Sequence, residues 1–143
     1  MRTLGQILAA KGTQVWSVTP DTSVYDAIAL MAEKGIGALP VLESGKLVGI
    51  VSERDYTRKV ALQGRSSKTT LVRDIMTPDV ICVRRDETPQ EAMAVMTAKR
   101  IRHLPVLDGD EMVGIVSIGD LVKDVISEQE FLIEQLVKYI HGR

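Results

Sequence analysis

Serine and aspartate stand three residues apart twice, in Ser52-Glu53-Arg54-Asp55 and again in Ser117-Ile118-Gly119-Asp120, each time directly after an apolar run. A hydroxyl followed at that spacing by a carboxylate marks a capped helix start. Free N–H groups and the dipole at such an end also favour an anion such as phosphate. The hydroxyl can donate to a phosphate oxygen, and the carboxylate can accept from the two hydroxyls of a ribose. For one copy alone, a plain helix cap is the simpler account. The two accounts are compatible, because a cap can double as a ligand group.

A second place joins them. Ile36-Gly37-Ala38-Leu39-Pro40 matches Ile101-Arg102-His103-Leu104-Pro105, with Gly37-Ala38 replaced by Arg102-His103. The small pair leaves room for a flat ring beside backbone groups. The basic pair, near Arg100, suits a phosphate clamp; a solvated basic helix end is an equal alternative. Lys11 and Arg54 are added as phosphate partners from charge and position. Gly49 and Gly114, inside apolar runs, are read as tight helix–sheet contacts with little functional weight. Two histidines and one cysteine, with no zinc spacing, P-loop, G-x-G-x-x-G or G-x-S-x-G pattern, leave no catalytic set. Asp55 and Asp120 form no acid/base pair, so the chain is not expected to be an enzyme, and no metal site is expected.

The elements that must position these residues are themselves doubled. From Val18 to Tyr56 the chain repeats, at a constant offset and without a gap, from Val83 to Leu121. Such a duplication predicts two like units about a pseudo-twofold axis, with a cleft of two equivalent halves. Each copy reads as strand, helix, strand, strand, helix. Val15–Val18 is a short strand; a helix begins at Ser23 with Val24, Ala27, Ile28 and Met31 on its apolar face, and Ser23 with Asp26 approximates a capping box. In the second copy Thr88-Pro89-Gln90-Glu91 supplies a cap, an N1 proline and an acid at N3. Leu39–Leu42 and Leu47–Val51, like Leu104–Leu107 and Met112–Val116, form hairpins expected to be covered on both faces. The polar stretch from Gln63 to Thr70 connects the copies. Beyond them, Val125, Ile126, Leu132, Ile133, Leu136, Val137 and Ile140 share a helical face that must pack on a partner subunit or back on its own core.

Composition bounds the rest. With 143 residues and 45% hydrophobic content, one shared core is expected. A net charge of −1 and 3% aromatic residues argue against nucleic acid as a partner. The lone Cys82 fits a reducing compartment. The N-terminus has no signal-like apolar run, and no stretch approaches a membrane span. A soluble, cytoplasmic protein without a membrane partner is expected.

The doubled pattern of apolar-Pro-Val, short turn, then Gly-apolar-apolar-Ser-x-x-Asp resembles a tandem pair of CBS domains, a Bateman module, over about Ile7 to Ile126. The resemblance implies an α/β (α+β) fold of two β-α-β-β-α repeats, at 7–63 and 71–127, plus a C-terminal helical extension at 128–143. It implies a regulatory sensor of an adenine nucleotide: AMP first, with ADP, ATP, NAD(H) or S-adenosylmethionine as further ligands. By the same resemblance Asp55 and Asp120 match ribose-binding aspartates, and Ser52 and Ser117 the hydroxyls beside ribose or phosphate. Thr13–Val15 and Thr77–Val80 match strands that flank adenine. Ile36, Gly37, Ala38 and Pro40, with Ile101, Arg102, His103 and Pro105, match the adenine or phosphate end. Because Ala38 stands where the second copy has His103, the two sites should differ in ligand or affinity. The family pairs modules into disk-like dimers, so a homodimer acting on an unidentified regulated protein is implied. The rival is an interaction and dimerisation module whose clefts are vestigial.

Overall fold

The computed structural model describes residues 2–12 and 14–141. They form two compact units, one made of 2–12 with 82–141, the other of 14–81. Neither unit is one sequence repeat. Each takes its lead segment from outside its own repeat, and where one shared core is expected, the buried cluster built on Val18, Val24, Met31, Leu39, Val41, Val51, Val60, Val72 and Ile75 lies wholly within the 14–81 unit.

In the 14–81 unit, helix α2 (Val24–Lys34) starts at the Ser23 cap and buries Val24, Ala27 and Met31. Ser23 Oγ accepts from Asp26 N–H, which is a simple cap. Strands β1 (Ala38–Glu43) and β2 (Lys46–Ser52) form the expected hairpin, with Ala38 opposite Ser52 and a two-residue turn at Ser44-Gly45. Both turn residues have positive φ, 52° and 79°, which twists the hairpin in the favoured sense. The expected cover on both faces holds for β1, where Ala38 to Val41 are all buried. Strand β2 instead alternates, burying Gly49 and Val51 and leaving Val48 and Ile50 half-buried.

The strand expected at Val15–Val18 shrinks to one residue, Val18, bridged in parallel to Val41. In the other unit the matching strand β3 (Val83–Arg84) pairs in parallel with Val106 and Leu107 and is extended by Arg85 N–H to Leu107 O at 3.0 Å. The residue matching Arg85 is Pro20, which has no N–H to give, so the ladder stops.

The connector is packed. Its Ser67 and Thr70 carbonyls accept from Tyr25 and Val24 N–H, satisfying first-turn donors of α2 that have no partner within the helix. The chain then turns through a 3-10 segment, Val72–Asp74, that buries Val72.

The second unit begins with α1 (Leu4–Lys11), capped by Thr3 in a full capping box with Gln6. Helix α4 (Pro89–Lys99) has the expected Thr88 cap, N1 proline and Glu91, and hairpin β4 (His103–Asp108) with β5 (Glu111–Ser117) sets His103 opposite Ser117. Helix α5 (Ile118–Ile140) continues from the hairpin.

The lead segments correspond. Leu4, Ile7 and Leu8 do in one unit what Val72, Ile75 and Met76 do in the other: Leu4 N–H bonds Glu87 O at 2.9 Å, as Val72 N–H bonds Thr22 O at 2.8 Å. Both strand glycines sit under these segments. A Cβ on Gly49 would lie 2.6 Å from Met76 Sδ, and one on Gly114 would lie 2.9 Å from both Leu8 methyls. At Gly114 this is the tight helix–sheet contact read from the sequence; at Gly49 the neighbour is Met76, past the 3-10 turn and outside any helix. Gly114→Ala is expected to lower unfolding free energy by about 1–3 kcal/mol through overpacking against buried Leu8, measurable by urea denaturation. Among the described residues no helix is long and apolar enough to cross a membrane.

Candidate functional site

The two Ser-x-x-Asp motifs sit at the strand-to-helix junctions, one in each unit, and both are complete capping boxes. In the 14–81 unit, Ser52 ends β2 and caps the short helix α3 (Glu53–Tyr56). Asp55 N–H donates to Ser52 Oγ at 3.1 Å, and Asp55 Oδ2 accepts from Ser52 N–H at 2.9 Å and from its hydroxyl at 3.0 Å. In the other unit Asp120 N–H donates to Ser117 Oγ at 3.1 Å, and Asp120 Oδ2 accepts from Ser117 N–H at 2.9 Å. The hairpin register brings the residue before each Leu-Pro opposite the serine, Ala38 to Ser52 and His103 to Ser117. A backbone bond locks each junction: Glu53 N–H to Gly37 O at 3.0 Å, and Ile118 N–H to Arg102 O at 2.9 Å.

Thus Ile36, Gly37, Ala38, Pro40, Ser52, Arg54 and Asp55 form one station, and Ile101, Arg102, His103, Pro105, Ser117 and Asp120 the other. Pro40 and Pro105 break no ladder bond. Pro40 faces Ile50, whose N–H and C=O are both taken by Thr77, at 3.0 and 2.9 Å. Thr77 thereby lines the first station along β2, with half-buried Val80 three residues on. Val15 lies in that same unit and is half-buried outside any strand. Thr13 lies outside the described residues.

The cations differ between the stations. Lys11, at the end of α1, places Nζ 2.7 Å from Asp120 Oδ2 and 3.4 Å from Ile115 O. Ile115 matches Ile50, so the ammonium takes up a carbonyl that backbone serves in the other unit. Around Asp55 the cation is Lys59, which sits 3.2 Å from Oδ1 and donates to Ile75 O at 2.8 Å. Lys59 rides on a π-helical turn, Thr57–Ala61, that continues α3. The sequence reading missed it, although its position four residues after Asp55 in a helix is a usable signal. Arg54 is exposed, one residue from the carboxylate it flanks.

Titration follows from this packing. Burial pushes the Asp120 carboxyl up, but the Lys11 ammonium and the Ser117 N–H and hydroxyl outweigh it, leaving the group below its ordinary 3.8. Burial holds His103 below 6.5; Lys11 and Arg102 push the same way and Asp120 opposes. The unfolded chain therefore takes up the His103 proton first. Stability from this group is full above about 6.5 and is lost as pH falls towards the lowered folded value. His103→Gln is expected to flatten the unfolding free energy between about pH 7 and pH 5, read from urea curves at successive pH values.

Paired hairpins that each deliver a carboxylate to a helix start, in two like units, fit one known family. The CBS domain matches residues 11–62 and again 72–127. The chain belongs to the CBS-domain family. Its relatives include the mitochondrial CBS domain-containing protein CBSX3 of Arabidopsis thaliana, 45% identical over 139 residues, which cover 94% of this chain and 67% of that protein. A solved CBS-domain structure from Burkholderia ambifaria MC40-6 is 55% identical and superposes with a TM-score of 0.85 over 89% of this chain and 96% of that one. The CBS domain pair of protein MJ0100, in complex with 5′-methylthioadenosine and S-adenosyl-L-methionine, is 25% identical with a TM-score of 0.73, over 90% of this chain and 98% of that one. The mixed α and β architecture and the C-terminal helix agree with the fold expected of a CBS pair.

Proposed function

We propose that this CBS pair is a regulatory sensor that binds an adenine nucleotide without turning it over, and that it works as a homodimer. The observation that carries this is the fixed carboxylate at each helix start. Asp55 and Asp120 are oriented by their serines while a flanking cation stands within a few ångströms. A ribose needs an aimed acceptor for its hydroxyls, and a phosphate needs cations. Each station supplies both. The adenosyl ligands of the MJ0100 pair support the same ligand class.

The stations differ in what they favour. Arg102 and Lys11 give the Asp120 station two cations for an anionic tail, with His103 beside them as a hydrogen-bonding imidazole. Gly37 and Ala38 give the Asp55 station space beside backbone, with Arg54 and Lys59 as its cations. AMP, the simplest ligand with ribose and phosphate, is the first choice, with ADP, ATP and NAD(H) in the same class. Signal transfer requires only that the ligand bind one conformation of the protein more tightly than another.

Isothermal titration with AMP, ATP, NADH and S-adenosylmethionine, beside thermal unfolding with each, tests the reading. Saturable heat and a raised melting temperature with at least one are expected. Silence from all four in both measurements would remove the sensor function.

A further inference from the structure

Helix α5 runs well past the part of it that packs. Leu121 and Asp124 are its last buried residues, and every residue from Gln129 to His141 is exposed. That overhang is roughly 18 Å of helix at 1.5 Å per residue. It carries Leu132, Ile133, Leu136 and Ile140 at 56, 61, 61 and 75% exposure, spaced i, i+1, i+4 and i+8, with Tyr139 beside them. The alternative of packing back on its own core, open in the sequence, is therefore not realised. An isolated helical overhang of this length is marginal in water, and a contiguous apolar stripe on it marks an interface.

The charges say what covers it. A helix lying on an anionic membrane needs a basic polar face, whereas this overhang carries Glu130 and Glu134 against the single Lys138 within the helix. Its charge is also graded along the axis. The acids lie in the first half; Lys138 and His141 lie at the end. Parallel pairing of two copies would set glutamates beside glutamates. Antiparallel pairing lays each acidic half along the basic end of its partner and opposes the two helix dipoles. The Glu134–Lys138 contact within the helix, at 3.7 Å between exposed groups, is too weak to compete.

We infer that the overhanging turns of α5 pair antiparallel with those of a second copy, Leu132 of each against Leu136 of the other and Gln129 beside Tyr139. This names the surface of the homodimer proposed above and rests on that reading. Helix pairing through a stripe of this kind buries an apolar seam by packing each knob between residues of the facing helix.

The test uses the full chain. Sedimentation equilibrium of the wild type is expected to show a dimer. Leu132→Glu with Leu136→Glu should raise its dissociation constant by at least about 30-fold, the loss of one hot spot. Circular dichroism should lose no more than the helix of the overhang itself. The urea midpoint should fall only to the value that the wild type reaches on dilution to monomer, since both side chains are exposed in the monomer. In a Cys82→Ser background, Gln129→Cys mixed with Tyr139→Cys should give a disulfide-linked dimer under mild oxidation, and neither alone should. A dimer that survives the double glutamate change would overturn this surface and leave the homodimer standing. A monomeric wild type at tens of micromolar would end both. Self-linking by Gln129→Cys alone would overturn the antiparallel arrangement, and flotation of a monomer with phosphatidylserine vesicles would assign the stripe to a membrane instead.

Discussion

Replacing Asp120 by asparagine is expected to weaken AMP binding about 10-fold to 100-fold, the value of a hydrogen bond to a charged group, roughly 1.5–3 kcal/mol. The carboxylate has unused capacity for a sugar. Its Oδ2 takes the Ser117 N–H and the Lys11 ammonium, while Oδ1 has no donor among the described residues. A ribose hydroxyl can reach Oδ1 without dismantling the cap. The amide of asparagine keeps one acceptor and turns a donor towards whatever faces the other position. Asp55→Asn should cost less, because Lys59 already stands on Oδ1 of that carboxylate, the position that has no donor among the described residues in Asp120. Both changes also touch a cap, worth about 0.5–2 kcal/mol of stability. Calorimetric affinity and the urea midpoint must therefore be measured on the same samples. A drop in midpoint with unchanged AMP affinity at both sites would leave the aspartates as caps and nothing more.

The residues that a reader of the sequence can place are those whose partners are close along the chain. Ser52 with Asp55 and Ser117 with Asp120 are local signals and fold as capping boxes. The hairpins follow from apolar runs around Gly45 and Gly109, and the doubled pattern gives the second unit once the first is read. Val15 to Ser17 lie outside any strand, as do their matches Val80 to Cys82, and past Val18 the pairing stops because Pro20 lacks the donor that Arg85 supplies in the other copy. What stayed hidden depends on contacts across long stretches of chain. Lys11 meets Asp120 across 109 positions, and nothing in periodicity links them. The same holds for Arg2, whose guanidinium lies 3.3 Å from the buried carboxylate of Asp124. The division of labour, in which the segment after one repeat completes that repeat's unit and the segment before it completes the other, is also silent in composition. Only the matched burial of Leu4, Ile7 and Leu8 with Val72, Ile75 and Met76 reveals it.

Lys11 is where these non-local contacts bear on ligand choice. Its ammonium lies on the oxygen of the carboxylate proposed to read ribose, and it also lowers the His103 proton affinity. A neutral adenosyl ligand such as 5′-methylthioadenosine brings no anion to draw the ammonium away. AMP does, so Lys11 can leave Asp120 for phosphate and expose the carboxylate as it goes. Lys11→Met is therefore expected to reduce AMP affinity about 10-fold or more, by loss of a charge-assisted bond. It should leave 5′-methylthioadenosine binding equal or tighter, so the ratio of the two affinities, not either alone, is the readout. A second consequence is independent of ligand. Removing this cation must raise the His103 pKa from its lowered position and shift the Asp120 carboxyl upward, both measurable by NMR titration of the free protein. The stability owed to the Asp120 ion pair is present above about 3.8 and lost as pH falls through its lower folded value, so the variant should unfold less steeply in acid. If both affinities fall together while His103 titrates as before, Lys11 only holds α1 in place and does not discriminate between ligands.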